Sequence, residues 1–180
     1  MDILDTETYC EELGDDKIIR VMKSVDSFSV DIRQLLPNGE ICLTKGQTLT
    51  PSRWRILNDN IQEIDDAVKE LREGKRVRKM IHLGGNVRLS VQSPYKCVNI
   101  RQFVYGENAY NKGTLIATSF GLSLKLAQWE GLKYHLASVN ANLPVDVQSI
   151  VPCYMSPDHS NQMGFFECRE CNPSGNLDSD

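Results

Sequence analysis

Val30-Asp31-Ile32-Arg33-Gln34-Leu35 and Val98-Asn99-Ile100-Arg101-Gln102-Phe103 share the pattern V-x-I-R-Q followed by a large apolar residue. Each is followed by a glycine-led stretch, Gly46-Gln47-Thr48-Leu49 and Gly121-Leu122-Ser123-Leu124. Each then reaches a tryptophan and a leucine three positions on, Trp54 with Leu57 and Trp129 with Leu132. Chance periodicity can imitate a strand or a helix, but it does not repeat three such signatures in the same order. The chain therefore carries one unit twice.

Within each unit the apolar residues alternate with polar ones, as in a half-exposed sheet. Ile19, Val21, Val30 and Ile32 do so in the first copy, and Val87, Leu89, Val91, Val98 and Ile100 in the second. The period then changes. Trp54, Leu57, Ile61, Ile64, Val68 and Leu71 are three or four apart and predict one helix from Pro51 to Glu73. Thr50 suits the N-cap, Pro51 the first turn and Gly74 the stop. Trp129, Leu132, Leu136 and Val139 predict a second helix, about Leu126 to Asn140, closed by Pro144. Two stripes this narrow call for a helix partner, so the pair is expected to pack antiparallel. Both tryptophans lie on the stripes and are assigned to the core rather than to stacking.

The expected fold is α+β: two tandem copies of a curved antiparallel β-sheet followed by a helix, packed as an intramolecular pseudo-dimer. The expected divisions are an acidic N-terminal tail (1–16), a first repeat (17–74), a basic linker (75–80), a second repeat (81–143) and a Cys/His-containing C-terminal segment (144–180). The second copy has the longer loop, about Gly106 to Ser119. No apolar run approaches the ~20 residues of a membrane helix. The first sixteen residues have neither the basic head nor the apolar stretch of a secretory signal. Three of the six cysteines, Cys10, Cys42 and Cys97, are isolated, which favours a reducing compartment over a disulfide framework.

Charge is segregated. Residues 1–16 carry seven acids and no base, and 151–180 carry five acids and one base, Arg169. That leaves 19 bases and 12 acids in 17–150. The folded middle is cationic and suits a polyanionic partner. Lys75, Arg76, Arg78 and Lys79 form a basic run that reads as a nucleic-acid contact or nuclear-localisation patch, or as a solvated helix end.

Several of these residues together resemble the single-stranded-DNA-binding domain of the transcriptional coactivator positive cofactor four family. They are His82-Leu83-Gly84-Gly85-Asn86, Leu89-Ser90-Val91, Val98-Asn99-Ile100-Arg101, Gly121-Leu122-Ser123-Leu124 and Gln128-Trp129. The first copy matches through Val30-Asp31-Ile32-Arg33, Leu49-Thr50, Trp54 and Ile64-Asp65-Asp66-Ala67-Val68. The resemblance spans about 17–140. It implies a four-stranded sheet and one helix per copy, dimer-like packing through the helices, and grooves for a single strand. Phosphates need Lys or Arg and bases need flat apolar faces. Arg20, Arg33, Arg88 and Arg101 fall at outward strand positions, Arg20 matched to Arg88 and Arg33 to Arg101. The alternative is that each pairs with a neighbouring carboxylate such as Asp31. Tyr95 and Lys96 occupy the first hairpin of the second copy, where the family sets an aromatic and a lysine on DNA, and Phe28 the corresponding turn of the first. The first copy lacks much of its first strand and has Leu35 and Leu36 where an aromatic is expected. It reads as the structural partner and the second copy as the binder.

The expected function is non-enzymatic binding of single-stranded DNA, or RNA, by a nuclear transcription or genome-maintenance factor. Transcription-machinery proteins are the implied protein partners. The rival reading is a protein-interaction adaptor that kept the fold and lost the groove. Separately, Cys153, His159, Cys168 and Cys171 place four soft ligands within nineteen residues, enough for one tetrahedral structural zinc. The alternatives are incidental thiols in a flexible tail, or Cys168 and Cys171 as a redox pair.

Overall fold

The computed structural model describes residues 4–159 and 162–173; the ends of the expected N-terminal tail and C-terminal segment lie outside them. Two four-stranded antiparallel sheets are each followed by helix. The first sheet runs β1 (Thr6–Gly14), β2 (Lys17–Lys23), β3 (Phe28–Leu35), β4 (Ile41–Leu49), then α1 (Pro51–Asp59) and α2 (Ile61–Arg72). The second runs β5 (Arg78–Gly84), β6 (Val87–Gln92), β7 (Cys97–Tyr105), β8 (Leu115–Lys125), then α3 (Leu126–Ala141). Among the described residues of the C-terminal segment there are three short 3₁₀ turns and α4 (Gln162–Glu167).

The inward strand residues Ile19, Val21, Val30, Ile32, Val87, Leu89, Val91, Val98 and Ile100 are all fully buried. Trp54, Leu57, Ile64, Trp129, Leu132 and Val139 join them in one core, with Ile61 and Leu136 partly buried against it. The stripes are not covered by helix alone. α3 lies against β1 and β2 as well as β7 and β8, and α1 and α2 lie against β5 and β6 respectively. Gly131 permits this approach, since a Cβ there would crowd the Leu13 carbonyl at 2.8 Å. Polar links tie the helices at both ends. Trp54 Nε1 donates to Asn140 Oδ1 (2.8 Å) and Trp129 Nε1 to Asp65 Oδ1 (3.3 Å).

Four expectations need correction. Residues 6–14, read as tail, form strand β1 paired with β2, so the first repeat has its first strand after all. Acids on an edge strand mimic a disordered tail; Leu13, buried, and Tyr9, half-buried, are the inward residues that carry it. The basic linker shortens to 75–77, because Arg78 and Lys79 belong to β5. The single helix 51–73 breaks at Asn60. There the Asn58 and Asn60 amides donate to the carbonyls of Trp54 (2.8 Å) and Ile56 (2.7 Å), competing with the helical ladder. Finally, Ile18 faces Arg33 and Arg88 faces Arg101, so Arg88 matches Ile18 and not Arg20, which lies two cross-strand pairs further along. The match of Arg33 with Arg101 stands, as each faces its glycine, Gly46 or Gly121.

Asp65 also receives Lys133 Nζ at 2.7 Å. Burial raises its carboxyl, but the hydrogen bonds from Lys133 and Trp129 outweigh this and hold it below the usual value. A depressed folded value stabilises above the unfolded pKa of about 4 and is lost as pH falls through the folded one. The gap in melting temperature between the wild type and Asp65→Asn is therefore expected to be constant above about pH 6 and to narrow progressively as pH falls below about 4. A gap that does not narrow with falling pH rules this out.

Candidate nucleic-acid interface and metal centre

The positive charge belongs to one repeat. Residues 75–125 hold nine bases and one acid, Glu107, whereas 6–49 hold five bases and eight acids.

On the outward face of the first sheet, Asp31 is buried between two arginines. Its Oδ2 accepts from Arg20 Nε at 2.9 Å and its Oδ1 from Arg33 Nε at 2.7 Å. Thr48 adds a bond to Oδ1 at 3.0 Å, and Arg33 also donates to Thr48 Oγ1 and the Leu43 carbonyl, both at 2.7 Å. Arg20 further reaches Glu7 at 3.4 Å. Both cations are neutralised within the sheet.

The second sheet has Asn99 where the first has Asp31. Arg101 Nε meets Asn99 Oδ1 at 3.3 Å and its NH1 the Thr118 carbonyl at 2.8 Å. Arg88 NH2 reaches Asn86 Oδ1 at 3.2 Å, while its buried Nε has no partner. Among the described residues no carboxylate lies within ion-pair distance of either arginine. Yet the two stand opposite one another on adjacent strands. Like charges so placed repel, and an anion between them would relieve it.

Beside them lies a groove of about 380 Å³, lined among others by Met80, Ser90, Tyr95, Asn99, Arg101 and Phe103. Tyr95 is 66% exposed. It and the exposed Lys96 sit in the β6–β7 turn, the second hairpin of this repeat, because β5 precedes it. Phe28 is no counterpart: it is the first residue of β3 and is buried in the core. Of the basic run, Lys75 pairs with Glu73 (2.8 Å) and Lys79 with Glu63, leaving Arg76 and Arg78 as exposed cations away from any described ion pair.

The C-terminal segment brings together all four of its expected ligands. Cys153, His159, Cys168 and Cys171 each offer an atom within 4.8 Å of every other, an arrangement that could hold a metal ion. Cys153 Sγ lies 3.6 Å from Cys168 Sγ and 3.7 Å from His159 Nδ1, and Cys171 Sγ lies 3.3 Å from that nitrogen. A tetrahedral ion with metal–sulfur bonds of about 2.3 Å requires sulfur–sulfur edges of roughly 3.8 Å, close to what the side chains adopt. Burial, with the neighbouring thiols, pushes Cys171 up to about 12. A cation among the sulfurs would reverse that order and release protons.

Sequence reasoning did not find what holds this segment in place. Glu170, inside the Cys-x-x-Cys turn, forms a two-pronged ion pair with Arg53 of α1, Nε to Oε1 at 2.5 Å and NH2 to Oε2 at 2.8 Å. Its carbonyl accepts from Gly85 N at 2.8 Å. Ser52 Oγ accepts from Cys153 N at 2.9 Å, and Arg55 NH1 donates to the carbonyls of Val147, Gln148 and Ile150. Partners a hundred residues apart leave no local spacing to read.

None of the described helices is long and apolar enough to cross a membrane. No protein-family model matches the chain, and no match is found among curated proteins.

Proposed function

We propose that this chain is a single-chain, tandem form of the positive cofactor four fold, packed as an intramolecular pseudo-dimer, that binds single-stranded nucleic acid without catalysing a reaction. Reciprocity supports the pseudo-dimer. Each indole donates to the residue eleven positions beyond the other tryptophan, Trp54 to Asn140 and Trp129 to Asp65. Such a pattern is what an antiparallel, two-fold-related pair of helices produces.

One observation carries the binding reading: Arg88 and Arg101 face each other without a carboxylate, beside a groove that offers Tyr95 and Phe103. Phosphates fit between the guanidiniums and bases against the rings. The strand lies on the second sheet, and the first, closed by Asp31, serves as structural partner. DNA is the expected ligand and RNA the alternative. The setting is transcription or genome maintenance in the nucleus, with the exposed Arg76 and Arg78 as part of the address. One structural zinc at the four-ligand cluster completes the assignment, since closed Cys₃His sites are a zinc arrangement.

The test is binding of a labelled oligothymidine across a salt series. Affinity is expected to fall with a slope of roughly −0.7 per phosphate contact. Arg101→Ala and Arg88→Ala each flatten the slope by about that amount. Tyr95→Ala weakens binding by about 1–3 kcal/mol with the slope little changed. Arg33→Ala, on the closed sheet, does less. Should the double change at Arg88 and Arg101 leave affinity intact, the face is not the site. The adaptor reading, which the neutralised first sheet favours, then takes its place.

A further inference from the structure

The turn between β5 and β6 joins the metal cluster to the binding face. Gly84, Gly85 and Asn86 all have positive φ, at 136°, 58° and 63°. The glycines are needed, because a Cβ on Gly84 would collide with the Glu170 carboxylate and one on Gly85 with the Arg53 guanidinium. On one side of this turn, Gly85 N donates to the Glu170 carbonyl. On the other, Asn86 Oδ1 accepts from Arg88 NH2 at 3.2 Å, the Asn86 carbonyl from Phe103 N at 2.9 Å, and the Gly85 carbonyl from Gln102 Nε2 at 2.8 Å. Asn86 N donates to His82 Nε2 at 2.9 Å. Arg88 belongs to the cationic pair and Phe103 lines the groove.

We infer that Glu170 is a positioning residue for the nucleic-acid face. Held between Cys168 and Cys171 of the metal cluster and forked onto Arg53, it fixes the Gly84–Asn86 turn that aims the Arg88 guanidinium across the sheet at Arg101. Glu170 touches no ligand; it acts through the turn. The β1–β2 turn of the first repeat is held differently among the described residues: Gln128 Nε2 donates to the Gly14 carbonyl and Lys125 pairs with Asp15. The inference rests on the binding reading above and adds to it a dependence of the face on the C-terminal segment.

The experiment uses the full chain, zinc-loaded, with labelled oligothymidine. Glu170→Ala is expected to flatten the salt slope by about 0.7, as Arg88→Ala does, and the double variant no further, since both remove one contact. Glu170→Asp, which keeps the charge, is expected to restore part of the slope. Gly85 amide exchange is the companion readout: protection is expected to fall at least tenfold in Glu170→Ala while the core amides keep theirs. A Glu170→Ala variant with unchanged slope, or with a loss that adds to that of Arg88→Ala, overturns the positioning role alone. Unchanged Gly85 protection shows that the Glu170 carbonyl holds the turn without the carboxylate, and overturns the side chain's part in the brace. If the unmodified chain does not bind, the functional reading falls and takes the positioning role with it, whereas loss of Gly85 protection would still establish the brace.

Discussion

Replacing Leu132 by Asp is expected to leave the chain unfolded at room temperature. Leu132 is fully buried on α3, a helix that lies against strands of both sheets. Truncating such a leucine to alanine already costs about 2–5 kcal/mol. A carboxylate adds the expense of burying a charge in an apolar core, and the sum is comparable with a total stability of about 5–15 kcal/mol. The change would be read from loss of cooperative urea unfolding by circular dichroism. Leu132→Met, which conserves volume, should cost less than about 1.5 kcal/mol. A Leu132→Asp variant unfolding near the wild-type midpoint would show that the two repeats do not share a core.

Metal removal is the second large effect. Protein purified without chelator is expected to contain about one equivalent of zinc, and Cys171→Ser to contain none. Thiolate-rich zinc sites draw on roughly 10 kcal/mol of apparent binding free energy, which in a short segment is folding free energy. The described residues between 147 and 173 form no sheet and contribute few fully buried side chains. Without metal the segment should become sensitive to protease while the two sheets persist. Absence of zinc by elemental analysis, or equal protease resistance after chelation, would refute the assignment.

The paired sheets, their inward residues and the helical stripes were legible because strand and helix periods are local. So was the Cys/His cluster, since three of its members are cysteines in a region poor in other signals. The error on Arg20 has a plain cause. Alignment by sequence order matched arginine to arginine, but hairpin register is set by the turn, and the β2–β3 and β6–β7 hairpins differ there. β1 was hidden because Glu7, Glu11 and Glu12 on an exposed edge look like a solvated tail. The Asn60 break was missed because a helix stripe continues through it, and only the amide bonds to Trp54 and Ile56 betray it. The Arg53–Glu170 pair links positions 117 apart, beyond any window of periodicity.

The Asp31 and Asn99 pair shows what joining two units in one chain permits. In an assembly of identical subunits every substitution is written into all copies, so a residue that closes one face closes the other. Here the two faces are encoded separately. One carries a carboxylate that binds its arginines internally, and the other carries an amide, with no carboxylate among the described residues within ion-pair distance of its arginines. A scaffold of two like units thereby has a front and a back, and with them a definite direction in which anything seated on the second sheet must lie relative to the rest of the molecule.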